Sequence, residues 1–295
     1  MVLYVIGLGL GDEKDITVRG LEAVRSSSKV VLEHYTSILG VDKAKLEAFY
    51  GKDIVLADRN IVESEADSIY ASAKEEDVAF LVVGDPLCAT THTDLIIRAR
   101  ELGIQVEIIH NASVMGAVAS CGLQLYNFGQ TVSIPLWEEK WEPDSFYDKI
   151  RVNKENGMHT LCLLDIKVKE PDFVKMAKGK VAFLPPRYMT VRTALEQLLE
   201  VENRKCEGVY GPESLCVGLA RLGQPTQKIM AGKMSDILNV DMGGPLHCLV
   251  ICGTTHPLEE KLLKWHGADA DPQPQGTQGT QGVDAVTAAG EEIPS

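Results

Sequence analysis

Residues 2–109 repeat one pattern five times: a short apolar run rich in β-branched residues, followed by a stretch with turn or helical character. The runs are Val2–Ile6, Val30–Leu32, Ile54–Leu56 and Ala79–Val83, and Gln105–Ile109, which includes Gln105 and Glu107, is the fifth expected strand. Apolar runs without polar alternation suit strands buried on both faces, and regular strand–helix alternation leads to a parallel, doubly wound sheet. Helices are expected at Ile16–Ser26 with Asp15 as the cap, at Asp42–Phe49, from Ile61 to about Lys74, and at Asp94–Leu102. Ligands of open α/β sheets bind beyond the carboxyl ends of strands. Two turns therefore stand out, Gly7-Leu8-Gly9-Leu10-Gly11-Asp12 after the first run and Gly84-Asp85-Pro86 after the fourth. Taken alone, each is also what an ordinary βα turn looks like.

Beyond Ile109 the pattern loosens. His110-Asn111-Ala112-Ser113 leads into a small-residue helix, Val114–Cys121. Strands are expected at Thr131–Ile134, Thr160–Leu164, Leu215–Ala220 and Pro245–Ile251, with a Lys- and Met-rich segment between the last two. Helices are expected at Asp144–Asn156, Val191–Glu202 and Pro257–Trp265, and Pro185–Met189 reads as a loop. The chain thus divides into an N-terminal α/β domain (1–111), a C-terminal mixed α/β domain (112–266) and a tail (267–295). The tail is rich in Gly, Gln, Thr and Pro without periodicity, and is expected to be disordered because it buries too little apolar surface to offset chain entropy.

Composition narrows the class. The chain is 45% hydrophobic and 24% charged, with a formal net charge of −13. The tail adds five acidic and no basic residues, and the body is itself net negative. An acidic body is a poor match for a phosphate backbone, which disfavours nucleic acid as a partner. No apolar run approaches the ~20 residues that span a bilayer, and the first residues carry no secretory pattern. Seven scattered cysteines, an odd number, suit reduced thiols and a cytoplasmic protein. Neither they nor the seven histidines show metal-ligand spacing, so no metal is expected.

The glycine loop after the first strand, with Glu33 at the end of the second, invites a nicotinamide-dinucleotide reading. Against it, Asp12 replaces the last small residue of that fingerprint, and Asp12 with Asp15 would repel a pyrophosphate. The loop better suits a ligand without phosphate that is approached by backbone, such as S-adenosylmethionine.

Taken together, Gly7–Asp12 with Asp15-Ile16-Thr17-Val18-Arg19-Gly20, Gly84-Asp85-Pro86 and Asn111-Ala112-Ser113 resemble the tetrapyrrole methylase superfamily. Segments 82–95, 108–135, 156–170, 185–189 and 215–223 resemble the eukaryotic diphthine synthases within it, and the likeness covers roughly residues 1–265. The resemblance implies a two-domain homodimer with S-adenosylmethionine in the interdomain cleft. Position by position, the donor contacts it implies are Leu10, Asp85, Cys88, Ser113, Val114, Leu164, Leu222 and His247. Cys88 departs from the small or aliphatic residue expected there, which a backbone contact would tolerate. Core packing is the competing reading for Leu164, Leu222 and His247.

The implied substrate is a histidine of translation elongation factor 2 bearing a 3-amino-3-carboxypropyl group. Its amine becomes trimethylammonium, and in eukaryotic members its carboxylate becomes the methyl ester. An α-amino group of pKa about 8 is made neutral at pH 7 for only ~1.4 kcal/mol. The sulfonium leaves as a neutral thioether, so positioning carries the catalysis and no indispensable acid or base is expected. Arg187 and Tyr188 are candidates to meet the protein substrate, as are Lys167 and Lys169. A nicotinamide oxidoreductase and a non-catalytic binding protein with the same fold stand as the alternatives.

Overall fold

The computed structural model describes residues 1–34, 39–58, 62, 66–168, 170, 173–176 and 182–267. Its first half is a five-stranded sheet of β1 (Val2–Gly7), β2 (Lys29–Glu33), β3 (Ile54–Ala57), β4 (Val78–Val82) and β5 (Gln105–Ile109). The order is β3-β2-β4-β1-β5, and each neighbouring pair runs parallel. The expected doubly wound sheet is therefore present, with β1 and β4 side by side near its middle. Burial explains why β4 is unbroken by polar residues. Phe80 and Val82 pack into the core on one face, Ala79 and Leu81 into the core on the other, and all are fully buried.

The second half is a mixed sheet of β6 (Val132–Ile134), β7 (Thr160–Leu164), β10 (Leu215–Ala220), β11 (Lys228–Lys233) and β12 (His247–Ile251). Its order is β11-β10-β12-β7-β6, antiparallel except for β6 with β7. β11 lies within the unassigned Lys- and Met-rich segment. Most of its residues are only partly buried, as befits an edge strand, so it lacks the apolar run that identifies a central one. The Pro185–Met189 loop likewise contains a strand: β9 (Arg187–Tyr188) pairs antiparallel with β8 (Ile166–Lys167). Residue 169, half of the expected Lys167–Lys169 pair, and the tail from 268 onward lie outside the described residues.

Helix ends depart instructively from expectation. The first helix is Val18–Ser26, and Thr17 caps it by accepting from the Gly20 N–H. Asp15 is drawn elsewhere, as shown below. The Asp42 cap is as expected, accepting from the Lys45 N–H at the start of helix Lys43–Tyr50. The acidic helix runs Asp67–Glu75; its expected start at Ile61 lies outside the described residues. The small-residue helix is α-helical only over Val114–Ala117 and tightens to a 3-10 turn over Val118–Cys121. Helix Val191–Lys205 runs one turn longer than expected, and Pro257–Trp265 has the expected bounds.

Leu10 and Val114, which leave the parallel sheet, pack against the hydrophobic cluster on one face of the mixed sheet. A cleft opens at that junction.

Candidate functional site

The glycine turns bring the ends of β1 and β4 together. The Gly9 N–H donates to the Gly84 carbonyl at 3.2 Å, and the Gly84 N–H donates back to Gly9 at 2.8 Å. A Cβ on Gly7 would stand 2.6 Å from the Gly84 carbonyl oxygen and 2.8 Å from Asn111 Cβ, so the close approach depends on glycine. Gly84 itself has φ +81°, in the left-handed region.

Asp15 is bent back onto the first glycine loop. Its Oδ2 accepts from the Gly11 N–H at 2.7 Å and from the Leu10 N–H at 3.3 Å. Those amides are the donors that a dinucleotide pyrophosphate would need. With an internal carboxylate already on them, and Glu33 buried within the fold, the nicotinamide reading loses both its supports. The capping role expected of Asp15 is corrected by the same observation: the Leu10 and Gly11 amides hold it, and Thr17 caps the helix instead.

Asp85 anchors the second turn. Its carboxylate, 4% exposed, accepts from the Leu87 N–H at 2.9 Å, from the Asn111 N–H at 3.0 Å and faces His110 Nδ1 at 2.8 Å. Burial works against ionisation here, but these hydrogen bonds outweigh it and hold the carboxyl below its ordinary pKa. Asn111 completes the assembly by donating from Nδ2 to the Gly7 and Asp15 carbonyls, both at 2.9 Å. One buried carboxylate and one amide therefore tie the loops after β1, β4 and β5 together.

Above these turns lies a cavity of about 520 Å³ walled by both sheets. Seven of the eight expected donor contacts line it: Leu10, Cys88, Ser113, Val114, Leu164, Leu222 and His247. The eighth, Asp85, stands behind the wall between Gly84 and Cys88, where it shapes the turn. Arg187 and Tyr188 are outside the lining. Arg187 is engaged by Glu170 at 2.7 Å and Glu138 at 3.2 Å, and Tyr188 pairs in strand register with Ile166, which does line the cavity.

His247 is a neutral pin. Its Nδ1 accepts from the Val191 N–H at 3.3 Å, which leaves the proton on Nε2 to donate to Gly244 (2.9 Å) and Gly243 (3.1 Å) carbonyls. Burial lowers its pKa, and the nearby Arg221 charge acts in the same direction. Committed on both nitrogens, the ring holds the 243–244 loop and is not placed to take a proton.

Asp165, Arg221 and Gln224 are among the lining residues given no role from sequence. Asp165 directly follows β7 and Arg221 directly follows β10, so the rule that ligands meet strand ends could have marked them. Two lining residues, Ala89 (φ 58°) and Arg221 (φ 51°), hold left-handed backbone that side chains other than glycine rarely adopt. Such strain concentrates where surrounding structure enforces it, commonly at ligand sites.

Among the described residues no three His, Cys, Asp or Glu side chains gather as a metal set, and no helix is long and apolar enough to cross a membrane. The cavity fits a methyl donor by its own chemistry: apolar walls, backbone-lined turns and no cluster of cationic side chains such as a phosphate would need.

The family profile of the tetrapyrrole (corrin/porphyrin) methylases matches residues 2–238. The diphthine methyl ester synthase of Homo sapiens is 57% identical over 267 residues, spanning 89% of this chain and 94% of that protein. The diphthine methyl ester synthase of Dictyostelium discoideum is 54% identical over 266 residues, spanning 90% and 97%. A crystal structure of diphthine synthase superposes with a TM-score of 0.78 at 32% identity, covering 92% of this chain and 97% of its own.

Proposed function

This chain belongs to the tetrapyrrole methylase family and is an S-adenosylmethionine-dependent methyltransferase of diphthamide biosynthesis, and we propose that it makes diphthine methyl ester on translation elongation factor 2. In this reading it methylates the amine of a 3-amino-3-carboxypropyl-histidine to trimethylammonium and the carboxylate to the methyl ester. The reading is supported above all by its likeness, across nine-tenths of its length, to enzymes that bear the ester in their names. It extends to a homodimer acting in the cytoplasm without a metal. Residues 1–111 and 112–266 would be the two domains that close on the donor, with 267–295 as an appended tail.

The donor supplies a methyl group on a sulfonium that departs as a neutral thioether. The chain's residues would bind and orient. We assign the donor to Leu10, Cys88, Ser113 and Val114 on one side and Leu164, Leu222 and His247 on the other, with Asp85 holding the turn between. Apolar Leu10, Val114, Leu164 and Leu222 would exclude water, and the tied turns would hold the reactants without reorganisation. Alignment of this kind is worth up to roughly 7–11 kcal/mol, enough to carry the reaction without a dedicated acid or base. Arg187, Tyr188 and Lys167, at the β8–β9 strand pair beside the cavity, are assigned to contact with the factor.

The test is transfer of labelled methyl groups to elongation factor 2 that carries the unmethylated modified histidine, with the product mass measured. Four added methyl groups are expected. Three would remove the ester step, and none, with the donor still bound, would make the chain a non-catalytic binding protein.

A further inference from the structure

The cavity has a charge pattern that the donor-binding assignment leaves unexplained. With His247 neutral, its lining carries two charged side chains, Arg221 and Asp165. Neither forms an ion pair among the described residues. Arg221 spends Nε on the Thr226 carbonyl (3.0 Å) and hydroxyl (3.1 Å), and Nη1 on the Met242 carbonyl (2.9 Å) and the Gly244 carbonyl. Its Nη2 makes no hydrogen bond among the described residues. Asp165 accepts from the Leu136 N–H through Oδ2 at 3.0 Å, and its Oδ1 likewise has no partner among them.

Strand register puts the two at the same edge of the mixed sheet. Ala220 is opposite His247 and Leu163 opposite Cys248, so Leu164, His247 and Ala220 form one row across β7, β12 and β10. Asp165 and Arg221 each lie one residue beyond that row. Their backbones stand two inter-strand steps apart, roughly 10 Å. A positive and a negative group, each already held by neutral backbone partners and each with polar atoms to spare, thus flank one mouth of an otherwise uncharged cavity. Both side chains are only half-buried and line the cavity, so a ligand there can reach their spare polar atoms. The left-handed backbone of Arg221 marks a position the fold maintains against local preference.

We propose that Arg221 and Asp165 together read a zwitterionic α-amino-acid head group, Arg221 receiving its carboxylate and Asp165 its ammonium. A guanidinium suits a carboxylate because its donors lie in one plane, and hydrogen bonds between charged groups are the stronger kind. Two ligands of the proposed function carry this head: the donor, through its methionine portion, and the modified histidine, through its aminocarboxypropyl arm. The inference rests on that reading for the second source but not for the first. The two residues are positioning residues that set specificity.

The first test uses the wild-type chain and calorimetry with S-adenosylhomocysteine and its decarboxylated analogue, each repeated on Arg221→Met and Asp165→Asn. If the head group is the donor's, decarboxylation weakens wild-type binding roughly 10- to 100-fold, the scale of a charged hydrogen-bonded contact, and has no further effect in Arg221→Met. If it is the substrate's, both variants bind S-adenosylhomocysteine normally but raise KM for the modified factor at least tenfold, and Arg221→Met loses the ester while earlier methylations persist. Normal donor binding and normal KM in both variants would overturn the proposal. Should Arg221→Met fail to fold, because the 242–244 carbonyls lose their donor, the wild-type analogue comparison and Asp165→Asn still decide. A wild-type chain that transfers no methyl to the factor would defeat the proposed function, leaving the calorimetric arm as the measure of this inference.

Discussion

The parallel sheet contributes a wall of tight turns and small side chains to the cavity, whereas the mixed sheet contributes the charges and the ring. On the first side, shape comes from backbone: Gly9 and Gly84 exchange hydrogen bonds, Gly7 permits their approach, and Asp85, Asn111 and Asp15 hold the loops from behind. On the second side, Asp165 and Arg221 follow the ends of β7 and β10 and line the ligand space, while the His247 ring beside them pins the 243–244 loop. The contrast separates two tasks. On the proposed function, a donor gripped by backbone would tolerate side-chain variation such as Cys88, while discrimination among head groups would need particular side chains.

The largest expected effect lies in the backbone wall. Gly7→Ala places a Cβ within 2.6 Å of a carbonyl that is itself tied to the neighbouring turn. We expect a loss of about 3 kcal/mol, at the upper end for overpacking, read from the urea midpoint, together with loss of S-adenosylhomocysteine binding. A variant with wild-type stability would mean that the turns are looser than their hydrogen bonds indicate.

Asp85→Ala comes next. It leaves the Leu87 and Asn111 N–H groups without their acceptor, and a loss of about 2 kcal/mol is expected, with weakened donor binding as the turn relaxes. Asp85→Asn retains one acceptor oxygen and should fall between. If Asp85→Ala weakened binding with unchanged stability, the carboxylate would be a direct ligand contact and the contrast between the walls would blur.

The smallest effect concerns pH and sharpens the other wall. Burial lowers the pKa of His247 and of His159, the latter fully buried with its Nε2 3.4 Å from Glu259 and its Nδ1 accepting from Gly253. The unfolded chain therefore takes up these protons first as the pH falls. Stability that is complete above the ordinary histidine pKa of about 6.5 is lost progressively below it, toward the depressed folded values. The melting temperature should drop by a few degrees between pH 7 and 5.5, and by less in His247→Gln. An unaltered slope in that variant would show that the pin at the 243–244 loop does not depend on a neutral ring.

Much of this was legible before any coordinates. The edge strands β3 and β5 of the parallel sheet were readable from their place in the strand–helix alternation, and the inner strands β1, β2 and β4 because strands buried on both faces carry apolar runs. β7 and β10 were readable for the same reason, β12 to within two residues, and the helix Pro257–Trp265 because proline opens it. β11 and the β8–β9 pair were not, since an edge strand and a two-residue ladder need no such run. The motif likeness brought seven cavity residues to attention, yet the charged pair escaped it. Asp165 and Arg221 are each a single polar residue after a strand, a pattern common to any strand end.

What the sequence by itself determined was the alternation of strand and helix, the glycine turns at the strand ends and the family resemblance, because these depend on local period and backbone freedom. Only the tertiary structure decided which carboxylate does what. Asp15 and Asp85 both follow or occupy turns and both could have faced a ligand. Folding turns Asp15 onto the amides of Gly11 and Leu10 and Asp85 onto Leu87 and Asn111, and leaves Asp165 with an oxygen to spare in the cavity. The reason is physical: a carboxylate's role follows from which donors come within hydrogen-bond reach, and those donors are brought from segments as distant in sequence as Asp85 and Asn111.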